Sequence, residues 1–94
     1  MRRDGRVDAN QSDIVKKLRE LGASVLILSP LGNGCPDLLI GWKDTVNLLV
    51  EVKNLEGRGA KLTPDEQLFF NHWRGPVEVV TCFEDILALL EAVR

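Results

Sequence analysis

The chain has 94 residues, which is enough for one compact domain and leaves little room for a second. Hydrophobic residues make up 45% of it and charged residues 28%, a balance typical of a globular protein with a modest core. The formal net charge of −2 excludes nucleic-acid binding through overall charge, so any such binding requires a local basic patch.

The composition also argues against a membrane or secreted protein. The longest nearly apolar stretches, residues 23–28 and 46–50, are far too short to span a bilayer. No hydrophobic segment follows the basic N-terminus, as a secretory signal would require. Cys35 and Cys82 match neither a zinc pattern nor a disulfide framework, and we interpret them as reduced thiols. We therefore expect a cytoplasmic protein that does not contact membranes.

The first predicted element is a helix over residues 8–21. Its apolar positions recur with helical spacing at Ile14, Val15, Leu18 and Leu21. Asp8, followed three residues later by Gln11, fits an N-terminal cap, and Gly22 is a natural stop. Residues 1–7 carry three arginines and are expected to form a flexible basic arm. A short buried strand over residues 23–28 and a loop over 29–34 follow.

Two further strands, residues 37–42 and 46–53, are joined by the tight polar segment 43–45. A hairpin centred near Asp44 pairs residues whose numbers sum to about 88, so Asp37 faces Glu51. One face of this hairpin is then entirely apolar: Leu38, Ile40, Trp42, Val46, Leu48, Val50 and Val52. The other carries Asp37, Leu39, Gly41, Asn47, Leu49, Glu51 and Lys53. A slip of one residue would mix the two sets, so the pattern supports this register.

The remainder of the chain adds two helices and one strand. Residues 55–61 are expected to form a flexible loop with two glycines. Thr63-Pro-Asp-Glu predicts a capping box that opens a helix reaching about Arg74 and burying some of its apolar residues. A strand over 77–82 and an amphipathic helix over 83–93 complete the chain. The order helix-strand-strand-strand-helix-strand-helix predicts an α/β fold with a small sheet flanked by helices.

Asp37, Glu51 and Lys53 form the candidate active site. Charged groups in apolar strands cost several kcal/mol when unpaired, so such residues usually remain where a function needs them. Directly opposed Cβ atoms lie roughly 4.5–5.5 Å apart, close enough for two carboxylates to share one cation. Asp37, Glu51 and the carbonyl of Val52 would hold Mg²⁺ or Mn²⁺ through hard oxygen ligands. Lys53 would position or deprotonate a water, or stabilise developing charge. The pattern suggests metal-dependent phosphodiester cleavage.

Three segments in this order resemble the virus-type replication-repair nuclease (VRR-NUC) family of the PD-(D/E)XK nuclease superfamily: Gly34-Cys-Pro-Asp, Glu51-Val-Lys and Leu62-Thr-Pro-Asp-Glu-Gln. The resemblance covers essentially the whole chain and implies a single nuclease domain over residues 1–94. It implies a restriction-endonuclease-like core with a mixed sheet flanked by helices. It also implies a Mg²⁺/Mn²⁺-dependent DNA endonuclease, working as a homodimer on branched DNA such as Holliday junctions, in a bacterial or phage-infected bacterial cell. No small-molecule cofactor is implied.

By the same resemblance, Asp37 and Glu51 become metal ligands, Lys53 the catalytic lysine and Gln67 the helix glutamine that faces the site. The family often has a first-helix glutamate at the metal. Here the candidates are Gln11, a neutral replacement, and Asp8, which could equally be only a helix cap. Arg58 and Lys61 are candidates for holding DNA phosphates, or are merely solvated loop charges.

Two alternative functions, neither of them enzymatic, remain open. The first is a DNA-binding module that keeps the nuclease fold without turnover. The second is a structural or toxin-like interaction protein with no nucleic-acid role. DNA versus RNA, the number of metal ions and the dimer surface also stay undecided by the residues.

Overall fold

The regular elements follow the predicted order, with one short 3-10 turn added. The computed structural model describes residues 5–54 and 61–92, with side chains from residue 10 onward. The helices are α1 (Gly5–Leu21), α2 (Pro64–His72) and α3 (Phe83–Ala92). The strands are β1 (Ser24–Ile27), β2 (Leu38–Trp42), β3 (Val46–Val52) and β4 (Val77–Val80), and the 3-10 turn (Ser29–Leu31) follows β1.

The start of α1 differs from the prediction. The helix begins at Gly5, three residues before the proposed cap Asp8. Asp8 is therefore inside the helix, and its assignment as an N-terminal cap is wrong. Residues 5–7, expected in a basic arm, are helical as well. A cap motif is a local signal and did not identify the true start, since helical spacing of apolar residues only becomes visible further along the chain.

The four strands form one mixed sheet in the order β1-β2-β3-β4. The pairs β1–β2 and β2–β3 are antiparallel, whereas β4 runs parallel to β3. Leu38 pairs with Val50 and Trp42 with Val46, so the predicted sum of 88 is confirmed. Lys43 and Asp44 turn the chain with φ of 52° and 61°, values that suit the right-handed twist of a tight hairpin.

One sheet face and two helices make the core. The apolar hairpin face packs against α1 and α3, and the buried cluster includes Ile14, Leu18, Leu38, Ile40, Leu48, Val50, Val52, Ile86 and Leu90. Period-2 alternation in the strands and helical spacing in α1 and α3 meet on this one surface. Burying it turns the opposite face of β2 and β3, which carries the charged residues, away from the core.

The second helix does not bury its apolar residues. Leu68 is 54% exposed and Trp73 48% exposed, contrary to the expectation for this helix. The cause is their spacing: consecutive apolar residues at 68–70 spread around the helix instead of forming one stripe. Phe69 and Trp73 stack on each other, with ring centroids 5.1 Å apart. Cys35 and Cys82 are free, as predicted, and both are half-buried. In residues 5–54 and 61–92, no helix is long and apolar enough to cross a bilayer.

Candidate active site

Asp37 is fixed at the point where β2 begins. Its carbonyl accepts the N–H of Leu28 at 2.7 Å, which continues the β1–β2 pairing by one residue. Its Oδ2 accepts the backbone N–H of Val52 at 2.8 Å. The β2–β3 pairing ends with Leu38 opposite Val50, so this hydrogen bond links the two chain segments just beyond the last backbone pair. Asp37 is thus anchored to both neighbouring strands.

Ser29 links Asp37 to the first helix. Its Oγ lies 3.2 Å from Asp37 Oδ1 and 3.2 Å from Gln11 Oε1. A hydroxyl carries one hydrogen, so it donates to one oxygen at a time. Gln11 is buried, with 9% of its surface exposed. Of the two first-helix candidates, Gln11 therefore reaches the Asp37 side of the site through Ser29, and the Asp8 side chain lies outside the described residues.

Glu51 is the most deeply buried charged residue in the part of the chain described. It is 3% exposed, and its Oε1 has no hydrogen-bond partner among the described residues. Burial, followed by the negative charges of Asp37 and Glu66, raises the pKa of Glu51 to about 9. Burial likewise raises the pKa of Asp37, while the Val52 N–H and Ser29 hydroxyl act in the opposite direction. Burial is thus the main cause of the raised pKa of both acids, and a cation bound between them would favour their charged forms.

Lys53 lies between two carboxylates. Its Nζ is 3.5 Å from Glu51 Oε2 and 2.7 Å from Glu66 Oε1. Burial alone would lower the pKa of Lys53, but its hydrogen bond to Glu66 and the charge of Glu51 outweigh burial and raise it. The amine is therefore held as an ammonium at neutral pH.

Glu66 belongs to this cluster although the sequence assigned it another task. The capping box at the start of α2 is present as predicted, with Glu66 N–H donating to Thr63 Oγ1 at 3.2 Å and Thr63 N–H to Glu66 Oε1 at 2.9 Å. The same oxygen also accepts from Lys53. The contacts with Lys53 and Thr63 lower the pKa of Glu66, although burial opposes them. The sequence did show an acid, Glu66, in the first turn of α2. Its role in the capping box explained its presence, so nothing in the sequence placed it at the active site.

Gly34 brings the start of α2 onto the site. A Cβ on Gly34 would lie 2.4 Å from the Asp65 carbonyl oxygen and 2.6 Å from its carbon. Gly34 also has φ +81, which disfavours other residues. The glycine therefore allows a backbone-to-backbone approach between the loop before Asp37 and the first turn of α2.

The residues suit a divalent cation. The unpartnered Glu51 Oε1 and the Asp37 carboxylate supply hard oxygen ligands of the kind Mg²⁺ and Mn²⁺ prefer. The Val52 N–H points to the β2 side of β3, and strand geometry directs the Val52 carbonyl to the same side. Residues 5–54 and 61–92 contain no group of three or more His, Cys, Asp and Glu placed to hold a metal ion. A set of two acids and one carbonyl leaves several positions for water.

The other predicted residues lie outside this cluster. Gln67 is exposed, and its Nε2 donates to Asn71 Oδ1 at 3.0 Å. The structure therefore does not bring Gln67 into the network of Asp37, Glu51 and Lys53, and its role stays a prediction. Lys61 is exposed just beyond the undescribed segment. Arg58 lies outside the described residues. DNA contacts of both basic residues stay predictions.

One solved structure connects this geometry to a family. A chain described as a VRR_NUC domain matches with a TM-score of 0.71 and 28% sequence identity. The match covers 94% of the present chain and 97% of the other. No protein-family model matches the sequence, and no curated protein matches it. The likeness thus spans nearly the full length of both chains.

Proposed function

We propose that this chain, which belongs to the VRR-NUC family of nuclease domains, is a divalent-metal-dependent DNA endonuclease. The observation that carries the proposal is the buried Glu51, with an unpartnered oxygen, beside Asp37 and Lys53. A buried carboxylate with an unpartnered oxygen is costly, and a cation shared with Asp37 would relieve that cost. The fold similarity supplies independent support, because it covers nearly all of both chains.

Asp37, Glu51 and the Val52 carbonyl would hold Mg²⁺ or Mn²⁺. Bound there, the ion would lower the pKa of a water and offset charge on the phosphate. The Val52 N–H orients the Asp37 carboxylate by holding one of its oxygens, and the Ser29 hydroxyl lies within hydrogen-bonding distance of the other. Glu51 must release its proton before it acts as a ligand. Metal binding and proton release at Glu51 are therefore coupled.

The structure favours one of the two roles expected for Lys53. A general base has to be neutral, whereas the raised pKa of Lys53 keeps it charged. As an ammonium, Lys53 would donate hydrogen bonds to a phosphate oxygen and stabilise the charge that develops during cleavage. We therefore assign it to charge stabilisation rather than proton abstraction.

Branched DNA and homodimer formation are part of the proposal and rest on the resemblance to the family. A symmetric junction requires two active sites related by a twofold axis, which a homodimer provides. The exposed apolar residues Leu26 (60%) and Leu31 (65%) are consistent with a surface for self-association. The free thiols support action in a reducing compartment such as the cytoplasm.

The direct test is cleavage of four-way-junction, nicked and linear DNA in Mg²⁺, Mn²⁺ or EDTA. We expect cleavage only with metal, fastest on the junction, and a dimer by light scattering. The Asp37→Asn/Lys53→Ala double variant is the matched inactive control. Equal cleavage in EDTA, or by that variant, would contradict the mechanism.

A DNA-binding module without turnover is the second candidate. The buried Gln11 favours it, because the family often has an acid in the first helix where this chain has a neutral amide. Calorimetry distinguishes the two. If DNA binds and Mn²⁺ does not bind at micromolar to millimolar concentration, binding without chemistry is correct.

A further inference from the structure

One carboxylate oxygen joins the helix start to the active-site amine. Glu66 Oε1 accepts from the Thr63 N–H at 2.9 Å and lies 2.7 Å from Lys53 Nζ. The geometry points to Glu66 as the positioning residue for Lys53: it holds the ammonium at the site through the first turn of α2. This inference rests on the proposed nuclease function and assigns a residue to it that the resemblance does not.

Burial makes this pair more than a surface contact. The Lys53 and Glu66 side chains are only 13% and 16% exposed, so water screens their attraction far less than at the surface. An ammonium has three N–H donors. Glu66 and Glu51 take two of them, which leaves the third for a phosphate oxygen. Without Glu66, Lys53 would be free to adopt other rotamers that carry the amine out of the site.

Glu66 has this position because α2 is fixed at its beginning. The close approach of Gly34 to the Asp65 carbonyl lets the first turn of α2 lie directly against the loop before Asp37. The capping box with Thr63 holds the Glu66 side chain in one orientation. Gln67, one residue on, is turned by about 100° around the helix and bonds to Asn71 instead. Glu66, and not the expected Gln67, therefore contacts Lys53.

Glu66→Gln separates the two tasks of the side chain. A glutamine oxygen still accepts the Thr63 N–H, because Gln also forms capping boxes, but it carries no charge for Lys53. Glu78→Gln, at an exposed carboxylate of β4, is the control for loss of one negative charge. Thr63→Ala is the control for a weakened cap that keeps the Glu66 charge.

Two measurements are made on each full-length variant. The first is junction cleavage with Mg²⁺, giving kcat and KM. The second is the acetylation rate of each lysine by an N-hydroxysuccinimide ester in EDTA, read by mass spectrometry with Lys16 and Lys61 as exposed internal references. We expect Glu66→Gln to lower kcat by about 10- to 100-fold with KM nearly unchanged, as for a misplaced catalytic group. We also expect Lys53 alone to be labelled several-fold faster.

Glu78→Gln should leave both measurements as in the wild type, and Thr63→Ala should keep Lys53 protected while lowering the melting temperature. Unchanged kcat in Glu66→Gln overturns the inference, and so does an unchanged Lys53 labelling rate. If the wild type cleaves no DNA, the proposed function fails, yet the labelling rates still decide whether Glu66 holds Lys53.

Discussion

The Asp37 carboxylate accepts the backbone N–H of Val52 at 2.8 Å and so links the start of β2 to β3 just beyond their last backbone pair. The acid that is expected to bind metal is therefore also a structural part of the sheet. The hydrogen bond to Val52 already restricts the rotamers of the Asp37 side chain. Binding a cation therefore costs less side-chain entropy.

This double role predicts that two substitutions at Asp37 will differ. Asp37→Asn keeps an oxygen for the Val52 N–H, whereas Asp37→Ala leaves that donor unpaired. We expect both to lose at least about 100-fold in metal-dependent cleavage. Only the alanine variant should also lose about 1–3 kcal/mol of stability, measured by urea unfolding in EDTA. Equal stability of the two variants would contradict the structural role.

Stability should fall as pH rises in the absence of metal. The pKa of Glu51 is raised from 4.5 to about 9 in the folded chain, so between these values the folded state holds a proton that the unfolded state has lost. Unfolding in this window therefore releases one proton, so each unit of rising pH lowers the free energy of unfolding by at most about 1.4 kcal/mol. Melting temperatures in EDTA from pH 6 to 9 should decline.

Glu51→Gln removes this titration while keeping a similar shape. Its melting temperature should vary less with pH over the same window than that of the wild type. Excess Mn²⁺ should also reduce the decline in the wild type, because metal replaces the proton on Glu51. A wild-type profile as flat as that of Glu51→Gln would contradict the raised pKa.

Gly34 and Gly32 offer a matched pair of alanine substitutions. Both have positive φ, +81° and +67°, but a Cβ on Gly32 meets nothing within 4 Å. Gly32, with φ 67° and ψ −161°, lies in a backbone region nearly confined to glycine, so Gly32→Ala should cost about 1–3 kcal/mol from strain. Gly34→Ala should cost a further ~1–3 kcal/mol from the clash with α2 and should reduce kcat by displacing Glu66. Similar unfolding and cleavage data for both variants would argue against this contact.

Gln11 tests the contribution of the first helix. Gln11→Glu places another carboxylate near Ser29 and Asp37, where it is buried. We expect lower stability in EDTA and Mn²⁺ affinity higher by on the order of tenfold, since affinity follows the charge of the ligands. Asn10→Asp, at a half-buried neighbour bonded to Asn54, is the control and should not raise the affinity in calorimetry.

The sequence by itself determined the hairpin and the three charged residues at its open end. Strand side chains alternate with a period of two, so only one register separates the apolar set from Asp37, Glu51 and Lys53. Element order and the α2 capping box were equally readable, because each depends on contacts within a few residues. The boundary of α1 was not, since its first turns lack an apolar stripe.

Only the tertiary structure decided what surrounds these residues. Ser29, Gln11 and Glu66 reach the site from a turn and two helices separated along the chain, and no local spacing encodes such meetings. The same holds for Gly34. A glycine-rich composition predicts a loop, but it does not reveal that the backbone of Asp65 packs against this glycine. Local periodicity fixed where the charges emerge, and long-range packing of α1 and α2 selected their partners.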